Sequence, residues 1–331
     1  MKYATLAGLA ATAQAATQLI SDAPSDIERS YLEFISQHNK SYATREEYQF
    51  RLAQFTMNMK KIQEHNMQNS DMETLAPNHM ADWTDEEYKQ LLGYKDNRPN
   101  MMGREQNHPV NIEDIPDAVN WVDNGAVTPV KNQGSCGSCW SFSATGSMEG
   151  RYQIKNGNLV SLSEQQLVDC SKTEGNMGCN GGLMDYAFKY AEGTAMETEE
   201  QYPYTGRGGK CDTSKTGDVK VTNFTDVAQK SPSALAAAAA EGPVAVAIDA
   251  SSFRFQLYHS GIMKSHCGTS LDHGVLVVGY GTENGVDYWM LKNSWGPKWG
   301  EKGYFRMLRE MDKEGDAGHC GVQLSASFPE F

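Results

Sequence analysis

The sequence predicts an α+β chain built in two parts, and three observations carry that reading. All seven cysteines lie after residue 135, leaving a long N-terminal stretch without any. That stretch carries apolar residues at helical spacing, and helical spacing returns between about 139 and 191. Beyond Cys211 short β-branched runs take over. A length of 331 residues accommodates about two domains of ordinary size. The net charge of -13 and pI near 5.1 argue against a nucleic-acid or anionic-membrane partner.

Taken in order, Lys2, the small apolar run Tyr3 to Thr12 and the Ala13-Gln14-Ala15 pattern read as a signal peptide over residues 1–15. The run is too short to span a bilayer, and no later stretch is long and apolar enough. Ser25 and Glu28 form a capping box ahead of Ile27, Tyr31, Phe34 and Ile35, predicting a helix from Asp26 to His38. A longer one is expected from Arg45 to Gln68, with Tyr48, Leu52, Phe55, Met59 and Ile62 on one face and Glu47 paired with Arg51. Lys95 to Glu113, broken by Pro99, Gly103 and Pro109, reads as a linker, with cleavage expected between Asn107 and Ile115.

Trp140, Ala144, Met148 and Tyr152 recur every four residues after the turn Gln133 to Ser138, which places Cys139 at a helix N-terminus. Unsatisfied N–H groups and the positive end of the macrodipole favour a thiolate there. Cys136 and Cys139 alone also fit a zinc or thiol-redox pair. Ser161 with Glu164, overlapped by Ser163 with Gln166, caps a helix ending near Cys170; another runs from Met184 to about Ala191. Strands are expected at Val219 to Val221, Val244 to Ile248, Val275 to Tyr280, Tyr288 to Leu291 and Tyr304 to Leu308. The alanine-rich helix Ala234 to Glu241, opened by Ser231-Pro232 and stopped by Gly242-Pro243, interrupts them. An odd cysteine count in a secreted chain suggests three disulfides and one free thiol, in any of 15 connectivities once the six partners are chosen.

Glu47, Arg51, Phe55, Asn58, Ile62 and Asn66 resemble the spaced motif of the inhibitory propeptide of papain-like cysteine peptidases of the cathepsin L type. Ala76, Asn78, Met80 and Asp82 partly match its second motif, with Ala for Gly and Met for Phe. Cys136-Gly137-Ser138-Cys139-Trp140 resembles the same family's active-site entrance. His273 lies 134 residues after Cys139, within the expected distance, and opens an apolar strand-like run. Its seven fellow histidines lack such a mount.

The resemblance implies a helical propeptide over 16–114 and a two-lobed peptidase domain over 115–331. The helical left lobe would span about 116–225 and the β-barrel-like right lobe about 226–331, with a cleft between. It implies Cys139 as nucleophile, His273 as base and acid, Asn293 orienting the imidazole, and Gln133 donating to the oxyanion. Gly181, Gly182, Leu183, Met184, Leu271, Asp272, Gly274, Trp295 and Ser325 would bind substrate, the S2 pocket taking bulky apolar or aromatic residues. Disulfides would join Cys136 to Cys179, Cys170 to Cys211 and Cys267 to Cys320. No His-rich insertion follows Cys179, which favours an endopeptidase. The expected enzyme needs no cofactor or metal and is a monomer in lysosomes, endosomes or the secreted space. Its partners are protein and peptide substrates, its own propeptide and cystatin-like inhibitors. Asn39-Lys40-Ser41 and Asn223-Phe224-Thr225 permit glycosylation. A catalytically dead peptide-binding relative is the rival reading.

Overall fold

A computed structural model describes residues 25–68, 73–98, 104–105 and 115–331. The expected signal peptide and, apart from Ile115, the expected cleavage segment Asn107 to Ile115 lie outside the described residues.

The pro-segment begins with helix α1 (Asp26–Gln37), closed at its start by the reciprocal Ser25/Glu28 capping box. Helix α2 (Arg45–Gln68) packs on it through Tyr31, Phe34, Phe55 and Ile62. The expected Glu47–Arg51 pair does not form. Arg51 instead donates two 2.6 Å hydrogen bonds to the Glu87 carboxylate, while Glu47 accepts from the Ala43 N–H. A planar fork meeting a planar carboxylate outcompetes a local pair on one helix face. Glu87 belongs to the short helix α3 (Asp85–Lys89), and strand β1 (Thr74–Leu75) precedes it.

Beyond the pro-segment, the central helix α4 (Cys139–Asn156) is buried over its first twelve residues. Helices α5 (Glu164–Cys170) and α6 (Met184–Gly193) pack around it. Ser163, not Ser161, caps α5 by accepting from the Gln166 N–H. The Gln166 side chain does not close the box; it accepts from the Glu197 N–H and donates to Ala195 O.

The nine-stranded sheet comprises β2 (Arg104–Glu105), β3 (Val119–Asn120), β4 (Asn223–Asp226), β5 (Val244–Ile248), β7 (Ile262–Met263), β8 (His273–Glu283), β9 (Val286–Lys292), β10 (Tyr304–Leu308) and β11 (Ala326–Glu330). Its path is β2-β4-β11-β5-β8-β9-β10-β7, with β3 on β8, and only β2/β4 and β10/β7 are parallel. Val219 to Val221 is not a strand: Val219 makes a single bridge to Met196, and pairing starts at Asn223. β3 and the first three residues of β4 come from 116–225 yet join this sheet, so the two halves of the chain interlock. Helix α7 (Pro232–Glu241) has Ser231 as its N-cap and Pro232 in its first turn.

Two apolar cores result, and β5 serves both. Val244, Val246 and Ile248 face one, and Ala245 and Ala247 face the other, as a period of two requires. The pro-segment contributes Met80, Tyr88 and Leu91 to the first and Tyr94 to the second. It also adds β1 antiparallel to β6 (Tyr258–Ser260). Asn78 donates to Gln256 O and accepts from Met80 N–H, while Asp82 receives Lys40 and Tyr42, so this motif keeps its turn with Ala76 and Met80 in place.

Helix α4 approaches its surroundings closely. A Cβ on Gly150 would stand 2.7 Å from Ala126 O and 2.5 Å from Pro243 Cγ. Gly150→Ala is therefore expected to lower the urea midpoint, costing about 1–3 kcal/mol from overpacking despite alanine's better helix propensity.

Candidate active site

The site forms where a helix start meets a strand start. Cys139 opens α4 and His273 opens β8, and both are fully buried. They come together because the residue after His273 is glycine: a Cβ on Gly274 would lie 3.2 Å from the Trp140 backbone and 3.3 Å from Cys139 O. The Gly274 N–H donates to Cys139 Sγ at 3.4 Å, and Ser143 on the next turn donates to Val275 O.

Asn293 follows β9 and fixes the imidazole. Its Oδ1 accepts the Ser294 N–H at 2.8 Å, which identifies that atom as oxygen, and lies 2.9 Å from His273 Nε2. Nε2 therefore carries the proton, and Nδ1, buried and without a hydrogen-bond partner, is the free base. The Trp295 ring covers the imidazole, with centroids 4.8 Å apart.

Gln133 is oriented just as firmly. Its Oε1 accepts from Ser294 Oγ (2.7 Å) and Trp295 Nε1 (3.1 Å), so its Nε2 must face the cleft. There it donates to Cys136 O and to Leu91 O of the pro-segment. Tyr204, which sequence reasoning missed, donates to the Gln133 carbonyl and shares a 2.7 Å hydrogen bond with Ser138 Oγ.

The disulfides are Cys136–Cys179, Cys170–Cys211 and Cys267–Cys320, leaving Cys139 as the free thiol. Cys136 is thus unavailable to Cys139 as a metal or redox partner. His319 lies against Cys267 and Cys320, but both of those sulfurs are spent on their disulfide.

A family described as papain family cysteine protease matches residues 115–330, and the cathepsin propeptide inhibitor domain matches 31–88. The chain belongs to the papain family of cysteine proteases. It is 43% identical to mouse (Mus musculus) procathepsin L over 305 residues, covering 89% of each chain. It is 45% identical to the rice (Oryza sativa subsp. japonica) oryzain beta chain over 289 residues, covering 86% of this chain and 62% of that one. Among solved structures, digestive procathepsin L 3 of Tenebrio molitor superposes with a TM-score of 0.82 at 39% identity, covering 93% of this chain and all of that one.

As in a papain-family zymogen, the pro-segment runs through the cleft. Gly93 N–H donates to Cys139 Sγ at 3.3 Å, so the thiol meets an amide proton. Gly182 donates to Gly93 O and accepts from Lys95 N–H, a parallel bridge, while Asp272 O accepts the Tyr94 N–H. The Tyr94 side chain is buried in the apolar cluster that holds Met184, Ala247 and Leu271, and its hydroxyl donates to Ser325 Oγ at 2.8 Å. Gly181 backs the strand, since a Cβ there would meet Gly93 O at 2.8 Å. Leu183 is fully buried; its N–H donates to Asn176, and among the described residues it makes no hydrogen bond to the pro-segment. Gly93, Tyr94 and Leu91 carried no sequence signal beyond following α3. Gly93 tolerates no side chain, because its Cβ would stand 1.9 Å from Gly137 O.

Covering the site changes its ionisation. Burial pushes the Cys139 thiol up to about 11, partly offset by the Gly274 and Gly93 N–H donors. Burial lowers His273 to about 4 despite its hydrogen bond to Asn293. Between these values thiol and imidazole are both neutral. In the zymogen, iodoacetamide should alkylate Cys139 appreciably only as pH rises toward 11. Removing the pro-segment should move that profile to lower pH, and Gly93→Ala should raise the pH 7 rate in the uncut chain.

Proposed function

We propose that the mature chain is a cysteine endopeptidase acting by acyl transfer. His273 Nδ1 takes the Cys139 proton and the thiolate attacks a peptide carbonyl. Gln133 Nε2 and the Cys139 N–H hold the oxyanion; the imidazolium then protonates the leaving amine, and water activated by His273 clears the thioester. The observation that supports this most directly is the position of Leu91 O on Gln133 Nε2, a backbone carbonyl already held by the oriented amide. The pocket that holds Tyr94 between Met184, Leu271 and Ser325 supports a preference for bulky apolar or aromatic residues at P2. Gly181, Gly182, Leu183, Asp272, Gly274 and Trp295 complete the substrate groove in this reading.

The division we propose is pro-segment 16–114 and peptidase 115–331, with lobes about 116–225 and 226–331, following a signal peptide at 1–15. The enzyme works as a monomer in lysosomes, endosomes or outside the cell, and cystatin-like inhibitors are its partners. Among the described residues no helix is long and apolar enough to cross a membrane. Of the two sequons, Asn223 Nδ2 is buried without a partner, which leaves Asn39 as the better glycan acceptor.

Acid releases the pro-segment in this proposal. Arg98 bonds Asp185 across the boundary, with Asp226 at 3.6 Å, and Glu73 accepts from the Lys264 and Ser265 N–H groups of the enzyme. Protonating Asp185 removes its charge pairing with Arg98. His273 favours opening: its closed-state value near 4 lies below the ordinary 6.5, so the open form binds the extra proton between those pH values. Asp272, raised to about 7 by burial, opposes it by taking up a proton on closure. Asp185, raised to about 7 by burial against the pull of Arg98, acts in the same direction as Asp272, so His273 is the group whose shift favours release in acid.

Hydrolysis of a peptide with an apolar P2 residue after acid treatment should be lost in Cys139→Ala alone. Activity in both forms would mean another site, and silence in both after pro-segment removal would favour the binding-only relative. Arg98→Ala should speed pro-segment loss at neutral pH by about tenfold or more, since breaking a buried pair costs on the order of 3 kcal/mol. Gel analysis of the cut chain against pH reads this, and an unchanged profile would remove Arg98 from the proposal.

A further inference from the structure

The pro-segment fills a second place on the enzyme beyond the pocket that holds Tyr94. The Tyr94 hydroxyl ends on Ser325 Oγ at 2.8 Å. Four residues later the Arg98 guanidinium is buried against a different group of enzyme side chains. Its NH1 donates to Asp185, in the first turn of α6, and lies 3.6 Å from Asp226 at the end of β4. The three side chains are 6%, 1% and 2% exposed. Asp96 of the pro-segment holds the other edge of the guanidinium through Nε and NH2.

The enzyme's own elements shape this place for a cation. Ser327 donates to Asp185 Oδ1, which leaves Oδ2 for the guanidinium. Ser327 is also the partner of Asp226 in the β11/β4 ladder, so strand pairing and the start of α6 bring the two carboxylates together. Two carboxylates this deeply buried are costly without a positive partner, and the pro-segment removes its arginine when it leaves. Ser325 continues the extended register of β11 by accepting the Ala247 N–H, so Ser325 and Ser327 share one face, roughly 7 Å apart. Side chains two residues apart in an extended peptide have the same spacing and the same facing. Arg98, Asp226 and Ser325 border one small void, so the two pockets adjoin.

We propose that in the mature enzyme Asp185 and Asp226 form a subsite for a guanidinium, taking an arginine at P4 of a peptide whose P2 residue is aromatic. This subsite rests on the endopeptidase reading above. Tyr94 and Arg98 occupy the two pockets at once, so an aromatic P2 residue and a P4 arginine do not compete. The guanidinium gives Asp185 Oδ2 a charge-assisted hydrogen bond that a neutral P4 side chain cannot replace.

The test compares kcat/KM of the acid-activated chain at pH 7 for two acetylated peptides, Arg-Ala-Phe-Ala and Gln-Ala-Phe-Ala, carrying the same fluorogenic leaving group. The arginine peptide should be cut about tenfold faster. Asp185→Asn and Asp226→Asn should each bring that ratio toward one, whereas a merely less stable variant lowers both rates and keeps it. A wild-type ratio near one, or the full ratio in both variants, would overturn the proposal. If neither peptide is cut, the endopeptidase reading fails, and fluorescence anisotropy of the labelled peptides on the processed chain decides the subsite. Tighter binding of the arginine peptide then supports it, and equal binding overturns it.

Discussion

The structure depends on one close approach, the first turn of α4 against the first residues of β8. Helix and strand belong to different halves of the chain, and each contributes only its opening residue to the chemistry. Gly274 lets the two backbones come so close that a Cβ on it would stand only 3.2 Å from the Trp140 backbone, and the Ser143 hydroxyl bonds the strand one turn further on. A helix start supplies unpaired N–H groups where negative charge is wanted. A buried strand supplies stiffness where an imidazole must hold one orientation. The interlocking of β3 and β4 with the large sheet keeps the two halves from drifting apart.

The pro-segment silences this arrangement by occupying each functional group with a plausible but unreactive partner. The sulfur receives an N–H, the Gln133 amide a carbonyl, Gly182 a backbone strand, and the apolar pocket a tyrosine. Desolvation adds a second layer, since it drives both the thiol and the imidazole to their neutral forms. Steric exclusion and charge suppression thus come from the same five residues, 91–95.

The legibility of these features in sequence follows from how each is encoded. Cys139, His273, Asn293 and Gln133 stand in conspicuous local settings, and the structure gathers all four. The contacts of Leu91 and Gly93 are made by backbone groups that every residue owns, so no residue type announces them. Arg51 was misassigned because spacing reveals only neighbours along a helix, whereas Glu87 lies 36 positions away in sequence. Val219 to Val221 has strand composition without a partner along its length, and composition cannot report pairing. Ser161 and Ser163 offered overlapping caps, and backbone geometry chose the second.

All three disulfides lie within residues 136–320, so none ties the pro-segment to the enzyme. In the continuous chain, covalent linkage keeps the pro-segment at the cleft however dilute the protein is. After the cut its concentration there becomes whatever the surrounding volume sets. Release of a cut pro-segment would then depend on dilution as well as on bond cleavage, because rebinding rises with its concentration. The absence of a covalent tether thus makes compartment size a variable in the enzyme's control.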